Sequence, residues 1–227
     1  MKPRVLRFRH ILVKDMRSTA NRLPTLLGFY ALYFTLAWFS LRELESTLLS
    51  SASLRALFWP AFLIQTVFVI TVMLMPQYVY TESMRAKHEI YFAYGYSIVD
   101  IVVSKTVTIV LLSLVPALVF SLIAFPKLTP EGALLPAFVF SVGAGVFGLV
   151  SLIIFLVWFS RMGRLAVVML ILLMVMSFSH SQSLFALAMT VSVTEFLLLL
   201  VAAGVLLFAL FVFSARLGNR EAYILKR

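Results

Sequence analysis

Residues 143 to 148 read Gly-Ala-Gly-Val-Phe-Gly, which matches the G-x-G-x-x-G pattern of a dinucleotide site letter for letter. That pattern cradles a pyrophosphate only where it follows a strand, opens a helix and meets water. Here it lies inside a long apolar run, where small residues instead let two membrane helices approach closely. Gly143, Gly145 and Gly148 are therefore read as helix-packing positions. A second group is charged. Glu82, Arg85, Lys87, His88 and Glu89 fall within eight residues, and Tyr91, Phe92, Tyr94 and Tyr96 follow. A third set, Gln65, His180 and Glu195, consists of isolated polar residues in or beside apolar sequence, the type that lines a substrate or proton path. Glu195 also closes Ser192-Val193-Thr194-Glu195, a capping box at the start of a helix, and that reading is the simpler one.

The elements that hold these residues follow from composition. The chain has 227 residues, of which 63% are hydrophobic and 12% charged, against about 25% charged in soluble domains. Its mean hydropathy is +1.06. Apolar runs of about 18 residues or more read as membrane-spanning helices, and six runs stand out, at 24–41, 58–80, 98–125, 134–159, 165–178 and 195–214. The expected fold is all-α: a single polytopic transmembrane domain over 1–227 with six spans. There is no cysteine, and His10 and His88 have no neighbours at metal-ligand spacing.

Orientation follows from Lys and Arg, which accumulate in cytoplasmic segments. Numbering the spans alternately puts fifteen of these residues on one side and three, Arg42, Arg55 and Lys127, on the other. Both termini and the 81–97 loop are thus expected in the cytoplasm. Lys105 falls within the third span, about two turns in, from where its side chain is expected to snorkel to the interface. The net charge of +10 then reflects topology and attraction to anionic lipid rather than nucleic acid, since no basic segment is interleaved with base-stacking aromatics. Residues 4–22 repeat Val5, Phe8, Leu12 and Met16 at helical spacing, which predicts an interfacial helix with that side against acyl chains.

Catalytic chemistry is missing from the sequence. The spans carry almost no ionisable residue, no nucleophile and base at matched spacing, and no G-x-x-x-x-G-K-[ST] phosphate loop. If the protein moves a solute actively, another subunit must supply the energy. The 80–105 stretch suits such a partner. Met84, His88, Tyr91 and Phe92 share one side of a short helix, over about 83–93, and Glu82–Arg85 and Arg85–Glu89 are opposite-charge pairs on another. The plainer alternative is a solvated connector touching lipid headgroups.

In this stretch the chain resembles the type-2 ABC transporter permeases. The pattern is an acid at the inner end of the second span, then a charged stretch ending in Glu plus a hydrophobic residue. A turn and a lysine early in the third span complete it. Glu82, Glu89-Ile90, Gly95-Tyr96-Ser97 and Lys105 fit, whereas Ala86-Lys87 replaces the usual Gly-Thr and the turn lacks its proline. The resemblance implies that Glu82, Arg85, His88, Glu89, Tyr91 and Phe92 belong to a coupling helix docked on a separate ABC ATPase subunit. It further implies a second permease subunit, identical or related, with ATP and magnesium held by the ATPase and no cofactor in this chain. A prokaryotic plasma membrane is the implied location. Haem-exporter permeases of cytochrome c maturation are a close variant. A secondary carrier or channel, or a non-transporting membrane scaffold, are the alternatives from other classes.

Overall fold

The computed structural model describes residues 4–42, 52–75, 78–79, 87–128, 134–159 and 192–217. These residues are mostly helical, with no strand among them. In a lipid environment a helix satisfies its backbone polar groups internally, which an open sheet cannot do. The helices are α1 (Arg4–Ala20), α2 (Leu23–Arg42), α3 (Ala52–Met75), α4 (Lys87–Ala93), α5 (Ile98–Ala124), α6 (Leu134–Phe159) and α7 (Val193–Leu217). A 3-10 turn, Pro126–Leu128, follows α5.

Among the described residues, three helices are long and apolar enough to cross a membrane: Ile98–Ala124, Leu134–Phe159 and Val193–Arg216. Two shorter apolar stretches, Leu23–Phe39 and Phe62–Met75, lie within α2 and α3. The fifth expected span, 165–178, falls outside the described residues. α5 is central: α1, α3 and α6 all pack on it, and α7 packs mainly on α6. The core runs from Trp59, Leu63 and Val67 of α3 through Ile101, Val102 and Ile109 of α5 to Val146, Val150 and Ile154 of α6.

Glycine decides how close α6 and α7 come. A Cβ on Gly148 would fall on the backbone of Gly204, within 2.8 Å of its Cα. One on Gly204 would fall on the Ala144 carbonyl and 2.8 Å from the Gly145 Cα. A Cβ on Gly145 would meet the Leu200 carbonyl at 3.4 Å, whereas one on Gly143 would meet only Leu114, at an ordinary 3.6 Å. The close crossing thus rests on Gly148 and Gly204, and such contacts stand in for a hydrophobic driving force between helices in lipid. Across α5 and α6, Ser151 donates to Thr106 at 3.1 Å, with both residues buried.

Candidate functional site

The polar residues converge at one end of the bundle, where α1 lies across α5 and meets α4. The way the chain builds α4 explains the geometry. After Ala93 the backbone turns through Gly95, whose φ of 77° favours a residue without Cβ. The Gly95 N–H bonds the Phe92 carbonyl at 2.8 Å and the Tyr96 N–H bonds the Tyr91 carbonyl at 3.0 Å. This is a Schellman C-cap, and the side-chain contact that accompanies one is present too: the Tyr91 and Tyr96 rings meet edge-on at 5.8 Å. Two residues later α5 begins. The Asp100 N–H donates to the Ser97 Oγ at 3.1 Å and the Ser97 N–H to the Asp100 carboxylate at 3.2 Å, a complete capping box. Two fixed caps back to back set the angle between α4 and α5.

The α4 helix is also fastened from its inner side. Tyr91 is buried, and its hydroxyl accepts a hydrogen bond from Lys14 Nζ of α1 at 2.8 Å. Phe92 packs on Phe159, the last residue of α6, with ring centroids 5.8 Å apart. The neighbouring Trp158 donates its indole N–H to the Val79 carbonyl at 2.8 Å. Glu89 is partly buried. Facing outward are Ile90, 55% exposed, and Tyr94, 76% exposed, one helical turn apart.

α1 carries the other half of the site. Its most buried line is Ile11, Asp15 and Thr19, at i, i+4 and i+8. Thr19 Oγ1 donates to the Asp15 carbonyl at 2.8 Å, so the 2.6 Å contact with Tyr78 is made by the tyrosine hydroxyl donating to it. His10 Nδ1 stands 3.3 Å from the Tyr96 hydroxyl. Between these, Lys105 Nζ of α5 meets the Asp15 carboxylate at 2.7 Å, with the two side chains 0% and 2% exposed. Lys105 therefore does not snorkel to an interface. α1 covers it and delivers a carboxylate, so the charge is neutralised where it stands. The side of α1 that holds it to the bundle is correspondingly mixed in polarity, while Leu12 and Met16, expected against acyl chains, are only partly buried beside it.

Comparison with protein-family models, curated proteins and solved structures finds no match. The chain's own geometry defines the site. It brings Glu89, Tyr91, Phe92 and Lys105 to this one junction. Glu82, Arg85 and His180 lie outside the described residues, as does the His88 side chain. Tyr91 and Phe92, both expected among the docking residues, turn toward the bundle, because Lys14 and the Tyr96 ring hold Tyr91 and Phe159 receives Phe92. Gln65 is partly buried within α3. Glu195 is exposed at the start of α7, where its carboxylate accepts from the Ser192 N–H at 3.0 Å and the Ser192 hydroxyl at 2.8 Å. Gly143, Gly145 and Gly148 lie on α6, away from this junction.

Sequence reasoning missed Asp15, Lys14, Tyr78, Trp158 and Gly204. For Asp15 a signal existed: a lysine inside a span calls for a carboxylate partner. Asp15 is the one acid within the basic run from Arg4 to Arg22.

Proposed function

We propose that the chain is the membrane permease subunit of an ATP-driven ABC transporter, with α4 as the helix that docks on a separate ATPase subunit. On this reading six spans, including one over 165–178, form half of a path completed by a second permease subunit, and α4 faces the cytoplasm. ATP and magnesium belong to the partner. The motif of Glu82, Glu89-Ile90, Gly95-Tyr96-Ser97 and Lys105 supports the reading from sequence.

The observation that carries it is the two-sided character of α4. On its inner side Tyr91 and Phe92 tie the helix to α1 and α6. On its outer side Ile90 and Tyr94 offer an apolar and an aromatic side chain one turn apart, 55% and 76% exposed. A helix that only connected two spans has no use for both. Such a pair fills a cleft, and Arg85, His88 and Glu89, close by in sequence, are of the residue types that fix orientation at a rim. Movement of the ATPase would then pass through Tyr91 to α1, through Phe92 to α6 and through the Gly95 cap to α5.

The test is recovery of an ABC ATPase, identified by its phosphate-binding loop and co-expressed with this chain. Interface anchors typically contribute about 2 kcal/mol or more, a loss of roughly thirtyfold in affinity. Ile90→Asp and Tyr94→Asp should therefore each abolish co-purification and transport-coupled ATP hydrolysis, at membrane expression matched to the parent. Equal recovery of the ATPase by both variants would sink the docking role of α4.

A further inference from the structure

Asp15 and Lys105 are separated by 90 positions in the chain and meet in the interior of the junction. A buried ion pair adds little net stability over an apolar pair of similar volume, because desolvating two charges offsets their attraction. What it can add is register: a charge must find its partner, whereas an apolar side chain slides to the next hollow. The surroundings show what register would serve. Next to Asp15, Lys14 donates to the Tyr91 hydroxyl. One turn further on, Thr19 bonds Tyr78, and one turn back His10 reaches Tyr96. All three contacts reach the stretch from Tyr78 to Tyr96 that surrounds α4, and a slip of α1 by one residue along α5 would misplace all of them together.

We propose that Asp15 and Lys105 are positioning residues: their pairing sets the register of α1 on α5, and α1, through Lys14, sets the attitude of α4. The inference depends on the transporter reading only for what α4 docks with. The positioning itself is a property of this chain.

The chain contains no cysteine, so an introduced pair supplies the only thiols. His10→Cys with Tyr96→Cys leaves Lys14, Tyr91, Asp15 and Lys105 intact and spans the distance from α1 to the end of α4. In purified protein a short bifunctional thiol reagent should bridge the two cysteines rapidly. Lys105→Met and Asp15→Leu, each made singly in this background, should slow bridging about tenfold or more, because each breaks the pair that sets the register and leaves its other member buried. The decisive arm is the double replacement Asp15→Leu with Lys105→Met. It removes both charges and keeps the volume filled, so its thermal unfolding should match the parent while bridging stays about tenfold slower. Reversing the charges, Asp15→Lys with Lys105→Asp, should restore bridging to within about twofold of the parent. A pair that contributed only cohesion gives the opposite result. Parental bridging in the apolar double variant, or loss of its fold, overturns the proposal, as does a folded charge-reversed variant that stays slow. The measurement uses the chain alone, so its outcome is separate from whether an ATPase docks.

Discussion

The hydroxyl of Tyr30 on α2 donates to the carbonyl oxygen of Leu112 on α5 at 2.8 Å. That carbonyl is available because Pro116, four residues on and inside the same helix, has no N–H to give it. A membrane offers no water to take the place of the lost bond, and a neighbouring helix supplies the donor instead. The relationship predicts a non-additive pair. Tyr30→Phe alone strands the Leu112 carbonyl and should cost about 1–3 kcal/mol. In a Pro116→Ala background the helix makes its own bond and Tyr30→Phe should be close to neutral. Thermal or denaturant unfolding of the four proteins in one detergent measures the coupling. Equal costs in the two backgrounds would mean that the hydroxyl contributes independently of Pro116, and no cost in either would mean that Tyr30 holds α2 by its ring alone, as its neighbour Phe34 does by stacking on Phe120 at 4.2 Å.

The crossing of α6 and α7 predicts an order among glycines. A Cβ at Gly148 or Gly204 has no room, since it would enter backbone that cannot swing aside. Gly148→Ala and Gly204→Ala should each destabilise by about 1–3 kcal/mol through overpacking, with Gly148→Leu worse. Gly143→Ala, whose methyl would meet only the Leu114 side chain at 3.6 Å, should be neutral or slightly stabilising, because alanine favours the helix. Melting temperatures of the purified variants decide this. Similar losses at Gly143 and Gly148 would contradict the described crossing.

These two regions show what was legible in the sequence. The apolar runs at 98–125 and 134–159 became Ile98–Ala124 and Leu134–Phe159 almost residue for residue, because Ser97 and Asp100 cap one helix and the other is apolar throughout. Pro116 was visible as well, but not its remedy: the donor for Leu112 is 82 positions away in the chain. Gly204 hid in the same way, as one more small residue in an apolar run until Gly148 was placed against it. At the junction, Tyr91 carries no mark in sequence that tells an inward ring from an outward one. The choice is made by Lys14, 77 positions earlier. Periodicity fixes which residues share a helix face, but which face is covered depends on partners that are remote in sequence.

The charge asymmetry predicts compartments directly. If six spans alternate as proposed, fifteen Lys and Arg fall on one side and three on the other, and reporters fused after Arg227 and near Ser50 should report opposite sides of the membrane, with Arg227 in the cytoplasm. Moving Arg42 and Arg55 to Ala should leave the assignment unchanged, since both already oppose the majority. If the two reporters read the same compartment, the count of six spans is wrong by an odd number between those points, and the proposed docking of α4 on a cytoplasmic ATPase loses its topological support.

The last prediction concerns Gly95, because it separates the fold of the bundle from the setting of α4. Its φ of 77° is the left-handed conformation that closes the Schellman cap, and a side chain there costs roughly 1–2 kcal/mol. Asparagine tolerates this conformation best among residues with a side chain, and β-branched residues tolerate it worst. The expected order of stability is therefore Gly95, then Gly95→Asn, then Gly95→Ala, with Gly95→Val last. The deeper consequence lies in how the chain relieves the strain. The α5 side of the turn is held by the Ser97–Asp100 capping box and the Lys105–Asp15 pair, so the turn yields by letting the last residues of α4 unwind. That movement carries Tyr94, adjacent to Gly95, away from its outward position. Gly95→Val should accordingly lose only about the 1–2 kcal/mol of the cap in stability, and yet lose co-purification of the proposed ATPase partner several-fold, with Gly95→Asn close to the parent. Measuring both quantities on the same preparations settles the matter. If stability and partner recovery fall in proportion across the series, Gly95 acts on the fold as a whole and the turn does not set the docking surface.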